Sequence, residues 1–181
     1  MAAQAEFFAK KCANAFGLSE LSAKQTSSTF MAMAKGMDVN AQAAKTMSLQ
    51  LTALSGDMAS FYNVSQDVAN TALKSVFTGE TESLKKFGIV MTEANLEAYR
   101  LAKGIKVSYS EMSQAQKVAL RYNYVMNATA QAQGDFARTS SSWANQLRLL
   151  RLMWEDLMVA MGTIFTHVLL PIMKALNVIL A

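Results

Sequence analysis

Cys12 and His167 are the residues from which nucleophilic or metal chemistry would have to be built, because the chain has one cysteine and one histidine. A Cys-His or Ser-His-Asp arrangement needs a base beside the nucleophile, and zinc needs a cluster of Cys and His ligands. Neither residue has such company in the sequence. A lone cysteine also forms no intrachain disulfide. No Walker loop and no G-x-G-x-x-G occurs, so nothing marks a phosphate cradle. Carboxylates fall singly or at ordinary helix-surface positions. The expectation is a protein that is not an enzyme, with no cofactor and no metal.

The stronger constellation is apolar. In GDFARTSSSWANQLRLLRLMWEDLM, residues 134–158, a run of small hydroxyl residues gives way to a Leu-rich series that holds both tryptophans. Trp143, Leu147, Leu150, Trp154, Leu157, Met161, Ile164 and Val168 recur at spacings of four and three. That is an a/d heptad series, the pattern of one helical face meeting another. Phe136 lies one heptad upstream, and residues 139–142 offer N-caps. Two readings stand: an amphipathic helix packed on its own domain, or a seam along which identical helices associate. Leu149 and Leu152 fall outside the seam and widen the apolar face. That width and the seam tryptophans suit a bundle better than a two-stranded coil. Arg148 and Arg151 are read as the solvated or partner-facing flank.

The elements that position this seam are read as helices. Half of the chain is hydrophobic (52%), 17% is charged, and proline occurs once. Such a chain is too apolar for disorder and too poor in breakers for a many-stranded sheet. Ala2–Phe16 puts Phe7, Phe8, Cys12 and Phe16 mainly on one face, with Gly17 past its end. Ser19 caps a second helix that stops near Gly36. Asn40 caps a third carrying Met47, Leu51, Leu54, Met58 and Phe61, though Gly56-Asp57 lies inside it. Shorter units follow: one from Ser65 to Gly79, a turn closed by Gly88, and one from Thr92 to Gly104. A further helix starts at Ser110, with Ala115, Val118, Tyr122, Val125 and Thr129 as its core stripe. The thirteen methionines are either adaptable core filler or a surface that repacks against partners. The net charge of +4 is dispersed, which argues against specific nucleic-acid recognition.

The fold class expected is therefore all-α: several short helices in a central module, then a long C-terminal helix that turns from amphipathic to apolar. The divisions are 1–61, 62–138 and 139–181. Residues 157–173, LMVAMGTIFTHVLLPIM, carry no fixed charge, and their length sits at the short end of the about 17–25 residues that span a bilayer. Leu157, Phe165, His167, Leu169, Leu170, Pro171 and Ile172 are the candidate membrane-inserting residues. An oligomer core and an intradomain helix are the other readings of this segment. His167 is either a buried structural histidine or a pH trigger.

Three pieces of the chain carry a family resemblance: TGETESLKKFGI, MSQAQKVALRYNYVM and GDFARTSSSWANQLRLL. Over about residues 51–150 the chain resembles bacteriophage tail tape-measure proteins. The resemblance implies a structural protein of the tail-tube lumen or tail tip, a scaffold for tube assembly whose length sets tail length. It also implies release at infection to help DNA cross the host envelope, and so presence at the host membrane after ejection. The partners implied are other copies of the chain, three-fold or six-fold on the tail axis, with tail-tube and tail-tip proteins and the host membrane. Members are usually very long, whereas 181 residues of continuous helix span only about 270 Å. A module, the ordered part of a longer chain or a shortened relative is expected, and LNVILA ends in mid-pattern. The alternative function is a membrane-active helical module that forms pores or translocates.

Overall fold

Helices start here where a short polar side chain accepts a backbone N–H of the first turn. Ser19, Asn40, Ser65 and Thr92 each do so, accepting from the amides of Ser22, Ala43, Val68 and Asn95. The computed structural model describes residues 2–164. These caps open α2 (Glu20–Gly36), α3 (Ala41–Phe61), α4 (Gln66–Thr78) and α6 (Glu93–Ala102). The next helix, α7 (Gln114–Ala128), is capped by Ser113, three residues later than the expected Ser110. The reason is a capping box: Ser113 accepts from the Gln116 amide while the Gln116 side chain accepts from the Ser113 amide. Ser108 and Glu111 close the preceding turn instead. The remaining helices are α1 (Ala2–Phe16), α5 (Glu82–Lys85), α8 (Asp135–Arg138) and α9 (Trp143–Ile164). No strand occurs among the described residues, and the fold is all-α.

α3 is the central element, with α1, α2, α4 and α8 packed around it. Met47, Leu51, Leu54 and Met58 are buried as the stripe requires, whereas Phe61 at its end is exposed. One core runs from Phe30 of α2 through α3 and α4 to Val118, Leu120 and Val125 of α7, drawing on both sides of residue 61. The rings of Phe30 and Phe77 meet at 5.8 Å within it. Of the α7 stripe, Val118, Val125 and Thr129 are buried while Ala115 and Tyr122 are half-buried. A smaller cluster holds Ala9, Cys12, Leu18 and Ala23, with Phe8 and Phe16 against it and Phe7 turned outward. The methionines divide: Met47, Met58, Met91 and Met112 fill the core, whereas Met153, Met158 and Met161 lie exposed on α9.

Buried arginines tie helix ends together. Arg121 donates to the Phe77 carbonyl near the end of α4 at 2.9 Å. Arg100 pairs with Glu97 and donates to the Ile105 carbonyl at 2.6 Å. Helix C-termini carry unpaired carbonyls and the negative end of the dipole, so a guanidinium is favoured there. These cations are thus turned inward rather than gathered into a surface patch.

The expected apolar continuation of α9 over residues 165–181 lies outside the described residues. The described helix ends at Ile164, and no helix among the described residues is long and apolar enough to cross a membrane.

Candidate association surface

The platform beneath the seam is a close three-way junction of α1, α3 and α8. Gly17 has a φ of +63°, and a Cβ there would fall 2.4 Å from the Phe136 ring. A Cβ on Gly56 would fall 2.2 Å from the Phe16 carbonyl oxygen. These glycines let Phe16-Gly17 lie directly on α3 and let Phe136, fully buried, close over the turn. Gly56 does not interrupt α3, and it stands where α1 approaches too closely for a side chain. Asp57 beside it accepts from the Gly134 amide at 2.7 Å and the Phe136 amide at 3.2 Å, holding the start of α8. Burial raises the Asp57 carboxyl above its ordinary value of 3.8. The two amide bonds oppose that rise, and the neighbouring Asp135 carboxylate adds to it.

A polar chain leads from this junction to α9. Ser60 of α3 donates to the Asp135 carboxylate at 2.6 Å, and the Thr139 hydroxyl donates to the Asp135 carbonyl at 2.8 Å. Asn145, only 3% exposed, donates from Nδ2 to Ser60 Oγ and Thr139 Oγ1, both at 2.9 Å. Ser142 accepts from the Asn145 amide at 3.3 Å and so caps α9, within the expected 139–142 run. One turn on, Arg148 Nη2 donates to the carbonyls of Ala59 at 3.0 Å and Val64 at 3.1 Å, at the end of α3. Arg148 is therefore not a solvated flank: it docks α9, and burial lowers its pKa. Its Nη1 is buried without a hydrogen-bond partner among the described residues.

The seam lies on the other side of the helix. Trp143 is 79% exposed and Trp154 63%, and Leu147, Leu150, Leu157 and Met161 are exposed with them. At about 100° per residue, Asn145 and Arg148 stand roughly 140–160° round α9 from the middle of this stripe. Leu152, half-buried, shares their side. Met153 and Met158 flank the stripe and are also exposed. Leu147, Leu150, Arg151, Met153, Trp154 and Leu157 line an open concavity of about 540 Å³. Among the described side chains the helix is thus inverted relative to the usual pattern, with Asn145 and Arg148 beside Leu152 inward and the large apolar stripe outward.

Of the expected seam residues, six from Trp143 to Met161 are brought onto this one face. Ile164 ends α9, and its side chain is outside the described residues. Val168, Phe165, His167, Leu169, Leu170, Pro171 and Ile172 also lie outside them. Of the membrane-inserting candidates, Leu157 alone is described. Sequence reasoning passed over Asn145 and Ser60, placed Arg148 on a solvated or partner-facing flank and saw Asp57 only as part of a weak point in α3, since isolated polar residues on a helix usually face water. Their signal was the spacing of Asn145 and Arg148, one turn apart on the side away from the seam.

Elsewhere, burial pushes the Cys12 thiol up to about 12, which keeps it protonated and unreactive at neutral pH. No group of His, Cys, Asp and Glu that could hold a metal ion occurs among the described residues. Comparison with protein-family models, with curated proteins and with solved structures finds no match.

Proposed function

We propose that this chain is a structural module of a bacteriophage or prophage tail tape-measure protein, and not an enzyme. Copies associate through the α9 seam on the tail axis, three-fold or six-fold, inside the tail tube or at its tip. There they scaffold tube assembly and contribute to tail length, and they leave at infection to assist DNA passage through the host envelope.

The observation that supports this reading is the exposed heptad face of α9, set opposite the side that docks on the module. Water-exposed tryptophans and leucines in one stripe are unfavourable on a lone chain and favourable once another copy covers them. Trp143 and Trp154 alone bring up to about half of the about 800 Å² that each partner contributes to a stable interface. With Met153 and Met158 beside the seam, the apolar face is wider than a two-stranded coil uses, which favours a larger bundle. Because each module sits behind its own helix, several copies can share an axial bundle with their modules outside. The three stretches that carry the resemblance correspond to α5 with its flanking turns, to α7, and to the α8–α9 junction.

The test is tail length. In a phage that encodes this chain, a helical insertion in frame after the module lengthens the tail by about 1.5 Å per residue. Tails of unchanged length, by electron microscopy, contradict the reading.

A further inference from the structure

The joint between α9 and the module is built from polar contacts. Asn145 reaches Ser60 and Thr139, and Arg148 reaches the carbonyls of Ala59 and Val64. Among the described side chains, large apolar packing does not back them: Leu147, Leu150, Met153 and Trp154 are exposed, and Leu149 and Leu152 are half-buried. A protein–protein hydrogen bond is exchanged for one to water at small net cost, whereas separating packed apolar surfaces is costly. The joint is also incompletely satisfied, since Arg148 Nη1 is buried without a partner among the described residues. Upstream the contrast is sharp: α8 is fixed by the buried Phe136 ring and by Asp57 on two backbone amides. Between this fixed point and α9 lies the turn 139–142, exposed at Ser141 and Ser142.

We propose that α9 is a movable arm. Asn145 and Arg148 form a polar latch that sets its direction, and the arm swings about the 139–142 turn when the latch opens while the module stays folded. The latch and the seam occupy opposite sides of α9, so engaging a partner along the seam does not require the latch to break. An arm held in an axial bundle can thereby have its module re-aimed, docked with the latch closed and splayed with it open. This inference stands on the joint alone and does not rest on the tail reading.

The experiment reads the arm in a monomer, so that failure of the association reading leaves it intact. The full chain carries Leu150→Glu and Leu157→Glu to remove the seam, and Trp143→Phe, which leaves Trp154 as the single tryptophan. Time-resolved fluorescence anisotropy then follows α9 on the nanosecond scale, and far-UV circular dichroism follows the module. Adding Asn145→Ala and Arg148→Met is expected to shorten the slow correlation time at Trp154 about two-fold, with thermal melting of the helices nearly unchanged. An unchanged correlation time overturns the proposal, because something other than the latch then holds the arm. A cooperative loss of module helicity overturns it as well, because the two residues then belong to the core. A correlation time already short with the latch intact shows that no latch closes, and overturns it too.

Discussion

The helical module and α9 follow opposite rules of polarity. In the module, α3 turns Met47, Leu51, Leu54 and Met58 inward, and the ion pair of Lys24 with Glu20 lies on the exposed side of α2. In α9 the inward side carries Asn145 and Arg148, and the outward side carries two tryptophans and a leucine series. Burial of apolar surface is the main favourable term in folding, so the module is complete by itself and α9 is not. α9 leaves its large apolar residues in water, and the proposed association rests on that feature. The difference separates what folds the module from what is proposed to assemble it.

The largest effect is expected at the junction that serves both regions. Phe136→Ala removes a fully buried ring from above Gly17, and a loss of about 3–5 kcal/mol is expected in urea unfolding. A loss below about 1 kcal/mol would show that α8 is peripheral to the module and erase its role as the anchor of α9. Gly56→Ala comes next. Its Cβ would press on the Phe16 backbone oxygen, which has no rotamer with which to yield, so about 1–3 kcal/mol is expected together with displacement of α1.

Asp57→Asn is expected to cost a similar about 1–3 kcal/mol, because an amide oxygen cannot replace both carboxylate acceptors under α8. Its pH dependence sharpens the point. The folded Asp57 value is raised, so its contribution to stability is fully present below 3.8 and is lost as pH rises through the raised value. The stability gap between the wild type and Asp57→Asn should therefore be wider below pH 3.8 than at neutrality. A gap that widens toward neutrality instead would show that the two amide bonds outweigh burial at this site.

How much of this was legible beforehand follows the same division. Caps and stripes are local, and Ser19, Asn40, Ser65 and Thr92 declared their helices by residue type and position. Ser110 misled because Ser113 competes three residues later, and the reciprocal bond from Gln116 decides between them. The heptad face of α9 was readable because its periodicity belongs to one helix. The latch was not, since it depends on where α3 ends in space: Arg148 finds the Ala59 and Val64 carbonyls across 89 and 84 residues of chain. Gly56 likewise read as a weak point in α3, and only the approach of Phe16 explains it.

The smallest effect on stability is expected at the seam, where the effect on assembly is greatest. Leu150→Glu with Leu157→Glu should change the unfolding free energy of the monomeric module by no more than about 0.5 kcal/mol, as surface substitutions do. A clear loss of monomer stability would mean that the face is part of the chain's own core, and the contrast between the two regions would collapse.

Mass in solution tests the central claim most directly. Sedimentation of the full chain across a concentration series should show a mass that rises above 19.7 kDa toward a multiple of three copies. The Leu150→Glu, Leu157→Glu variant should remain at the single-chain mass throughout. A wild-type chain that stays monomeric at high micromolar concentration contradicts the account.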